Sequence, residues 1–352
     1  MIFYRDEKYK FNEFFNEENG FLIRTNILNN EEIETCNKAI MRSFPELMDI
    51  GIMGKCHVYK QYCKKFGIEC YQVKDSLDMS IELYKKIINQ CKGKVFQVAL
   101  GGKGDPNKHK DFEEILRITR KNNIVPNLTT TGIGITNKEI DLIKKYVGAI
   151  AISLYSKLTI NLEESNKECI KAIEKIVSNK ITTNIHYVIN NDTINDAITR
   201  LTYNKFPKGI NAVIFLLYKR KDKNIDINKS KILEFFNLLN QHKYSFKIGF
   251  DTCFSPLISK YLLNSEKRSI EDCEAGRFSC YISANGILYP CSFMQDENFG
   301  VNLNETTILD AWNSEKMNNF RKMKSNKCMR CNRRKDCSFG CKFDLNQYIC
   351  NK

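Results

Sequence analysis

From residue 47 onward the chain alternates between two hydrophobic periods. Short apolar runs rich in β-branched residues occupy 47–53, 95–100, 124–131, 149–154, 182–189 and 212–217. Each has the length and composition of a parallel strand covered on both faces. Between them apolar residues recur at helical spacing. Residues 80–91 carry Ile81, Leu83, Tyr84, Ile87 and Ile88, and residues 112–120 carry Phe112, Ile115, Leu116 and Ile118. The pattern returns at 137–146, 163–178, 194–203 and 232–241, the last with Leu233, Phe235, Phe236, Leu238 and Leu239. Such alternation implies right-handed crossovers and a parallel sheet. Six consecutive βα units predict an α/β fold, a partial (β/α)6 TIM-like barrel, with a flat doubly wound sheet as the alternative. In both, chemistry belongs at the C-terminal ends of the strands.

The pattern divides the chain into three. Residues 1–45 are polar and aromatic, with Phe3, Tyr4, Tyr9, Phe11, Phe14, Phe15, Phe21 and Ile23, and predict a lead-in that packs on the barrel. Residues 46–251 hold the barrel. Residues 252–352 form a cysteine-rich extension. In it, Asn285-Gly286 between Tyr281-Ile282-Ser283 and Ile287-Leu288-Tyr289 is a strong hairpin signal. The hairpin returns Cys291 towards Cys280 and Cys273.

Composition narrows the function. With 352 residues, 42% of them hydrophobic, the chain can bury one large core and a small one. No apolar run reaches membrane-spanning length, and the first residues lack a signal-peptide pattern. A cytoplasmic, reducing location is therefore expected, where 15 cysteines are metal ligands more readily than disulfides. The net charge of +14 is spread along a chain rich in Lys, Asn and Ile and forms no block. Nucleic acid is not the expected partner on that basis. An acidic peptide fits the same charge.

Cys56, Cys63 and Cys70 lie just past the first strand, six residues apart. Three cysteines do not close a structural zinc shell, which takes four ligands. They suit an iron–sulfur cube with one iron left open to bind something else. Three buried thiols without a metal, or two thiols with a distant zinc partner, are the alternatives. After residue 272 come eight more: Cys273, Cys280, Cys291, then Cys328-x2-Cys331-x5-Cys337-x3-Cys341, and Cys350. Eight make two sets of four, enough for two clusters or two zincs.

The pattern Cys-x12-Gly-x4-Cys, Cys-x2-Cys-x5-Cys-x3-Cys, Cys resembles the SPASM extension of radical S-adenosylmethionine (SAM) enzymes. A partial barrel led by three cysteines extends the resemblance over nearly the whole chain. The family's usual spacing at those three is Cys-x3-Cys-x2-Cys. Here it is Cys-x6-Cys-x6-Cys, with Glu69 where an aromatic residue usually precedes the third cysteine and Tyr71 following it. The resemblance implies three 4Fe–4S clusters and SAM as cofactors. Cys56, Cys63 and Cys70 would hold the SAM-binding cluster. Cys273, Cys280, Cys291 and Cys341 would hold the first auxiliary cluster, and Cys328, Cys331, Cys337 and Cys350 the second.

SAM contacts are expected at the strand ends. Gly101, Gly102, Lys103, Gly104 and Asp105 end the second strand, where glycines let backbone approach a ligand. The position resembles the family's Gly-Gly-Glu motif, with Lys103 at the acid and Asp105 as its substitute. Thr130, Thr131 and Gly132 end the third strand. Ser153 matches the family's polar ribose contact. Asn184 and His186 alternate with apolar neighbours and so share one face, as SAM or substrate contacts or as structural residues. Cys36, Cys91, Cys169 and Cys253 fit no comb. Cys91 and Cys169 read as helix packing residues.

The resemblance implies a radical SAM peptide maturase. It would cleave SAM reductively, abstract hydrogen from a ribosomally made precursor peptide and install a thioether or other crosslink. A flavodoxin- or ferredoxin-type donor would supply electrons. The sulfatase-maturing branch carries an aspartate after the Gly-x4-Cys cysteine, whereas Ser292 stands here. No separate leader-binding domain is expected, so recognition would fall to the first 45 residues, the comb surface or another protein. The other classes are a radical SAM enzyme acting on a small molecule or a protein, and a zinc-rich basic nucleic-acid binder. The second gives the six βα units no purpose.

Overall fold

The computed structural model describes residues 1–26, 41–56, 76–154, 163–219, 228–263, 273–323 and 341–343. The chain divides into two compact units. Unit 1 comprises Met1–Thr130, Thr136–Ile150 and Ala275–Lys322; unit 2 comprises Thr131–Ile135, Ala151–Glu274 and Met323–Lys352.

Unit 1 opens on a three-stranded antiparallel sheet, β1 (Ile2–Asp6), β2 (Phe11–Phe15) and β3 (Leu22–Asn26). The expected lead-in is thus a sheet of its own. Strand β2 buries Phe11, Glu13 and Phe15 on one face, and Phe15 stacks on Phe96 with ring centroids 5.2 Å apart. The buried Glu13 carboxylate pairs with Arg42 (2.7 Å) and Arg24 (3.2 Å), and Arg24 also binds Glu46 (2.6 Å). Two acids and two bases buried together remain charge-balanced, the condition under which interior ions are tolerated.

Strands β4 (Leu47–Met53), β5 (Gln97–Gly102) and β6 (Val125–Thr130) follow, parallel and adjacent in chain order. The helices beside them are α1 (Ile81–Asn89), α2 (Phe112–Lys121) and α3 (Asn137–Tyr146). Ser80 caps α1 by accepting from the Leu83 amide. Thr136 and Glu139 form a reciprocal capping box at α3.

Unit 2 continues the alternation. Its elements are β7 (Ile150–Ser153), α4 (Glu163–Ser178), β8 (Thr183–Ile189), α5 (Ile194–Thr202), β9 (Ala212–Leu217), α6 (Lys229–Gln241), β10 (Lys247–Phe250) and α7 (Ser255–Tyr261). The sheet order is β10-β9-β8-β7. Its core is aromatic: Phe215 meets Phe235 edge-on at 4.9 Å, and Tyr187 meets Phe206 at 5.9 Å. Edge-to-face geometry is the favoured one for such rings. Strand β10 adds a parallel strand to the six expected. Only four residues long, with one charged residue and one glycine, it leaves no clear period in the sequence. It forms because Gly249 gives Ile214 of β9 room to pack, where a Cβ would stand 2.5 Å from that side chain.

The chain then returns to unit 1. Strand β11 (Ser279–Ile282) lies parallel beside β4, and β12 (Ile287–Tyr289) and β13 (Val301–Asn302) follow antiparallel. Gly286 takes the left-handed turn position (φ 77°) of the expected hairpin. Helices α8 (Ile308–Asn313) and α9 (Glu315–Lys322) close the unit. Trp312 is fully buried, and its indole donates to the Arg42 carbonyl at 2.9 Å.

Candidate cluster and cofactor site

In unit 1 the candidate site gathers where β4 and β5 end. Cys56 lies three residues past β4, its side chain half-buried. The glycine turn after β5 packs onto the backbone just before it. A Cβ on Gly104 would collide with the Lys55 carbonyl and stand 3.0 Å from the Met53 side chain. Gly102 takes a left-handed φ of 109°, and a Cβ there would stand 2.8 Å from the Gly51 Cα. The glycines therefore exist for close approach of two backbones. Across β4 the Tyr281 hydroxyl fills the space over Gly51, 2.5 Å from where its Cβ would be. Asp78 fixes the loop by accepting from the Gly54 amide at 2.8 Å.

Asp49 is in register with Ala99 on one side and Tyr281 on the other. Burial pushes its carboxyl up to about 6. Asp105 is buried at the entrance of a 3-10 turn over Pro106–Lys108. Thr130 at the end of β6 donates to Asn107 Oδ1 (2.7 Å), and Asn107 donates to Glu139 (2.9 Å). This chain ties Thr130 into the wall of the unit. Gly101, Gly102, Gly104 and Asp105 thus share one turn beside Cys56, with Thr130 two strands from β4.

In unit 2, Thr131 is buried, and its hydroxyl accepts from the Ile133 amide at 3.2 Å. Ser153 ends β7, next to Leu154, whose amide binds the His186 carbonyl at 3.0 Å. Along β8, Thr183, Ile185, Tyr187 and Ile189 are buried while Asn184 and His186 share the less buried face. Asn184 accepts from Asn211 at 2.8 Å. Burial pushes the His186 imidazole down to about 4, so it is neutral at pH 7.

A second cluster of side chains forms past the ends of β9 and β10. Lys219 is buried and pairs with Asp251 at 3.4 Å. Asp251 also accepts from the Leu217 amide at 3.2 Å. Cys253, buried two residues further on, lies within hydrogen-bonding reach of the Cys341 thiol and of Lys219. Burial works to lower the Lys219 ammonium, and its neighbours Cys253, Asp251 and Cys341 raise it by more.

Of the other cysteines of the comb, Cys273 is half-buried in unit 2 and Cys291 half-buried in unit 1. Cys280 is buried within β11. Cys63, Cys70, Tyr71, Cys328, Cys331, Cys337 and Cys350 lie outside the described residues. Among the described residues no three Cys, His, Asp or Glu side chains converge on a point that would hold a single ion. A cube binds one thiolate at each of four corners and does not require such convergence. A set made of thiols, with a lysine beside two of them, fits an iron–sulfur cluster.

Residues 273–337 match the SPASM family, an iron-sulfur cluster-binding domain. The matched segment follows a run of parallel βα units in the chain. The α/β fold of the chain is similar to that of two proteins of known structure. Streptococcus suis SuiB bound to S-adenosylmethionine aligns with a TM-score of 0.67 and 19% identity, over 90% of this chain and 80% of that one. SuiB bound to precursor peptide SuiA aligns at 0.65 and 17%, over 93% and 84%. Native anSMEcpe with bound AdoMet aligns at 0.62 and 18%, over 84% and 89%. No curated protein matches the chain by sequence. The β11–β12 hairpin lies within the matched residues and in unit 1 beside β4, while Cys253 and Cys341 fall outside the matched residues.

Four residues of these sites escaped the sequence reading. Asp49 was legible as the one acid in an apolar strand run. Tyr281 gave no signal, because its neighbour across the ladder is 232 positions away in the chain, at Asp49. Lys219 and Cys253 each follow a strand end by two or three residues, the place where site residues concentrate in such folds.

Proposed function

We propose that this protein cleaves SAM reductively and uses the resulting radical to remove hydrogen from a ribosomally made peptide, which then acquires a crosslink or similar modification. The observation that carries the reading is the packing of the Gly102–Gly104 turn against the backbone of Lys55, beside Cys56. It puts a glycine-lined backbone, able to meet a methionyl amine and carboxylate, next to the first of the three loop cysteines. A 4Fe–4S cluster on Cys56, Cys63 and Cys70 would supply the electron that breaks the sulfonium bond. The chain's own groups bind and shield. Backbone of the glycine turn would approach the ligand, and Tyr281 closes the space over Gly51. Two clusters on the cysteines after residue 272 would carry electrons.

Peptide substrates are supported by two neighbours, SuiB with precursor peptide SuiA and anSMEcpe with the Cp18Cys peptide. Ser292 follows Cys291, and its carbonyl is held by Gln295 at 2.7 Å. No carboxylate stands there to act as the sulfatase-maturing base, which favours a ribosomal peptide over a sulfatase.

The test is dithionite-driven formation of 5′-deoxyadenosine by the anaerobically reconstituted protein. Replacing Cys56, Cys63 and Cys70 together with Ala should abolish it while iron bound elsewhere stays. Undiminished cleavage in the triple variant would sink the reading. Incubation with small peptides encoded beside the gene, followed by mass spectrometry, tests the substrate class. Loss of two hydrogens from such a peptide is the expected result.

A further inference from the structure

We infer that Cys253 is a ligand of the auxiliary cluster that also takes Cys341, and that Cys280 is not. The inference rests on the reading of the chain as an iron–sulfur protein and assigns its ligands by geometry.

Cys280 occupies the middle of a paired strand. It is 2% exposed and in register with Met48 of β4. Residues in register point to the same face of a sheet. The Met48 sulfur touches the Cys91 sulfur at 3.9 Å, just past the end of α1. Cys280 therefore faces the helix-covered side of the sheet, among apolar and sulfur-bearing side chains. Its neighbour Tyr281 faces the other side, over Gly51 and Gly102. Turning Cys280 to that side would slip the register by one residue and reverse every side chain of β11. A thiol so placed is a packing residue, and Cys91 beside Met48 is another.

Cys253 has the opposite setting. It follows β10 by three residues, in the 3-10 turn Thr252–Phe254, and belongs to the same compact unit as Cys273 and Cys341. Its thiol reaches the thiol of Cys341, 88 residues away in the chain. Two thiols brought together by the fold, beside a buried lysine, make a site for thiolate ligation. Each thiol loses its proton on binding iron, and the Lys219 ammonium, already within reach of Cys253, offsets the charge that results. Asp251 holds Lys219 in place.

The test uses the Cys56, Cys63 and Cys70 to Ala background, so that only auxiliary clusters load. The reconstituted parent should hold about eight irons with matching sulfide. Cys253→Ala should lower this to about four, or leave a damaged cluster with an altered electron paramagnetic resonance signal. Cys341→Ala should give the same result, and the double variant should lose nothing further, because both residues serve one cluster. Cys280→Ala should keep the full complement and the parent spectrum. Where Cys253→Ala misfolds by circular dichroism, Cys253→Ser keeps the contact with Lys219 and should lose iron equally. A parent that loads normally while Cys253→Ala stays unchanged overturns the assignment alone, and so does loss of a cluster in Cys280→Ala. A parent that binds no iron overturns the iron–sulfur reading and this assignment with it.

Discussion

At the ends of β4 and β5 the chain uses glycine, and at the ends of β9 and β10 it uses charge. The first place needs room. Gly51, Gly102 and Gly104 let two backbones and the Tyr281 hydroxyl come together where side chains would collide. The second place needs compensation. Buried Lys219 and half-buried Asp251 lie 3.4 Å apart beside the thiols of Cys253 and Cys341. Both follow the same rule that site residues cluster at strand ends. They differ in what a substitution should do. A side chain added at the glycines obstructs, whereas a charge removed at Lys219 leaves its partner stranded.

The largest stability effect should come from breaking that charge pair. Lys219→Met removes the buried member of the pair, leaves Asp251 with 21% of its side chain exposed, and should cost about 3 kcal/mol, read from urea unfolding of the anaerobic protein. Adding Asp251→Leu should restore much of the loss. A single variant as stable as the parent would show the pair to be solvated, and the contrast with the glycine end would fail.

Asp49 sharpens the comparison, because unit 1 also holds a half-buried acid but gives it no basic partner within its strand ladder. Its carboxyl lies at about 6 in the folded chain against 3.8 ordinarily. A raised carboxyl binds protons more tightly when folded, so it costs nothing below pH 3.8. The cost grows as pH rises through the window up to about 6 and stays constant above it. Asp49→Asn should therefore raise the melting temperature at about pH 8, by up to about 3 kcal/mol of stability. At about pH 3.5 the variant and parent should coincide. A gain of equal size at both pH values would assign the effect to packing.

The smallest stability effect is expected at the glycine end. Gly104→Ala places a methyl group against the Lys55 carbonyl and should cost about 1–3 kcal/mol as overpacking. Its specific signature is elsewhere. Displacing the backbone next to Cys56 should raise the SAM concentration needed for half-maximal cleavage, with iron content unchanged. Gly93→Ala, where a Cβ meets nothing within 4 Å, serves as the control. Its strain at φ 72° costs stability without touching SAM.

The legibility of the two places differs for the same reason as their chemistry. The glycine turn is contiguous, residues 101–105, and follows a strand visible from its apolar period. The charged cluster is dispersed over positions 219, 251, 253 and 341. Cys341 belongs to a legible spacing pattern, but Lys219 and Asp251 are unremarkable in their own windows and Cys253 fits no spacing pattern. The N-terminal sheet shows a further limit. Phe11, Glu13 and Phe15 alternate correctly for a strand, but the middle position is a carboxylate that only two distant arginines make tolerable.

The sequence by itself determined what depends on neighbours close in the chain. These were the strand and helix periods, the capping of α3 by Thr136 and Glu139, the Asn285-Gly286 hairpin and the cysteine spacings that carry the SPASM resemblance. Hydrogen bonding and turn geometry act over a few residues, so a local window contains their cause. Tertiary structure alone decided which edge the hairpin joins, which face of β11 Cys280 occupies and which thiol meets Cys341. Those outcomes follow from burial and strand register, which compare segments up to hundreds of residues apart and leave no mark in any one of them.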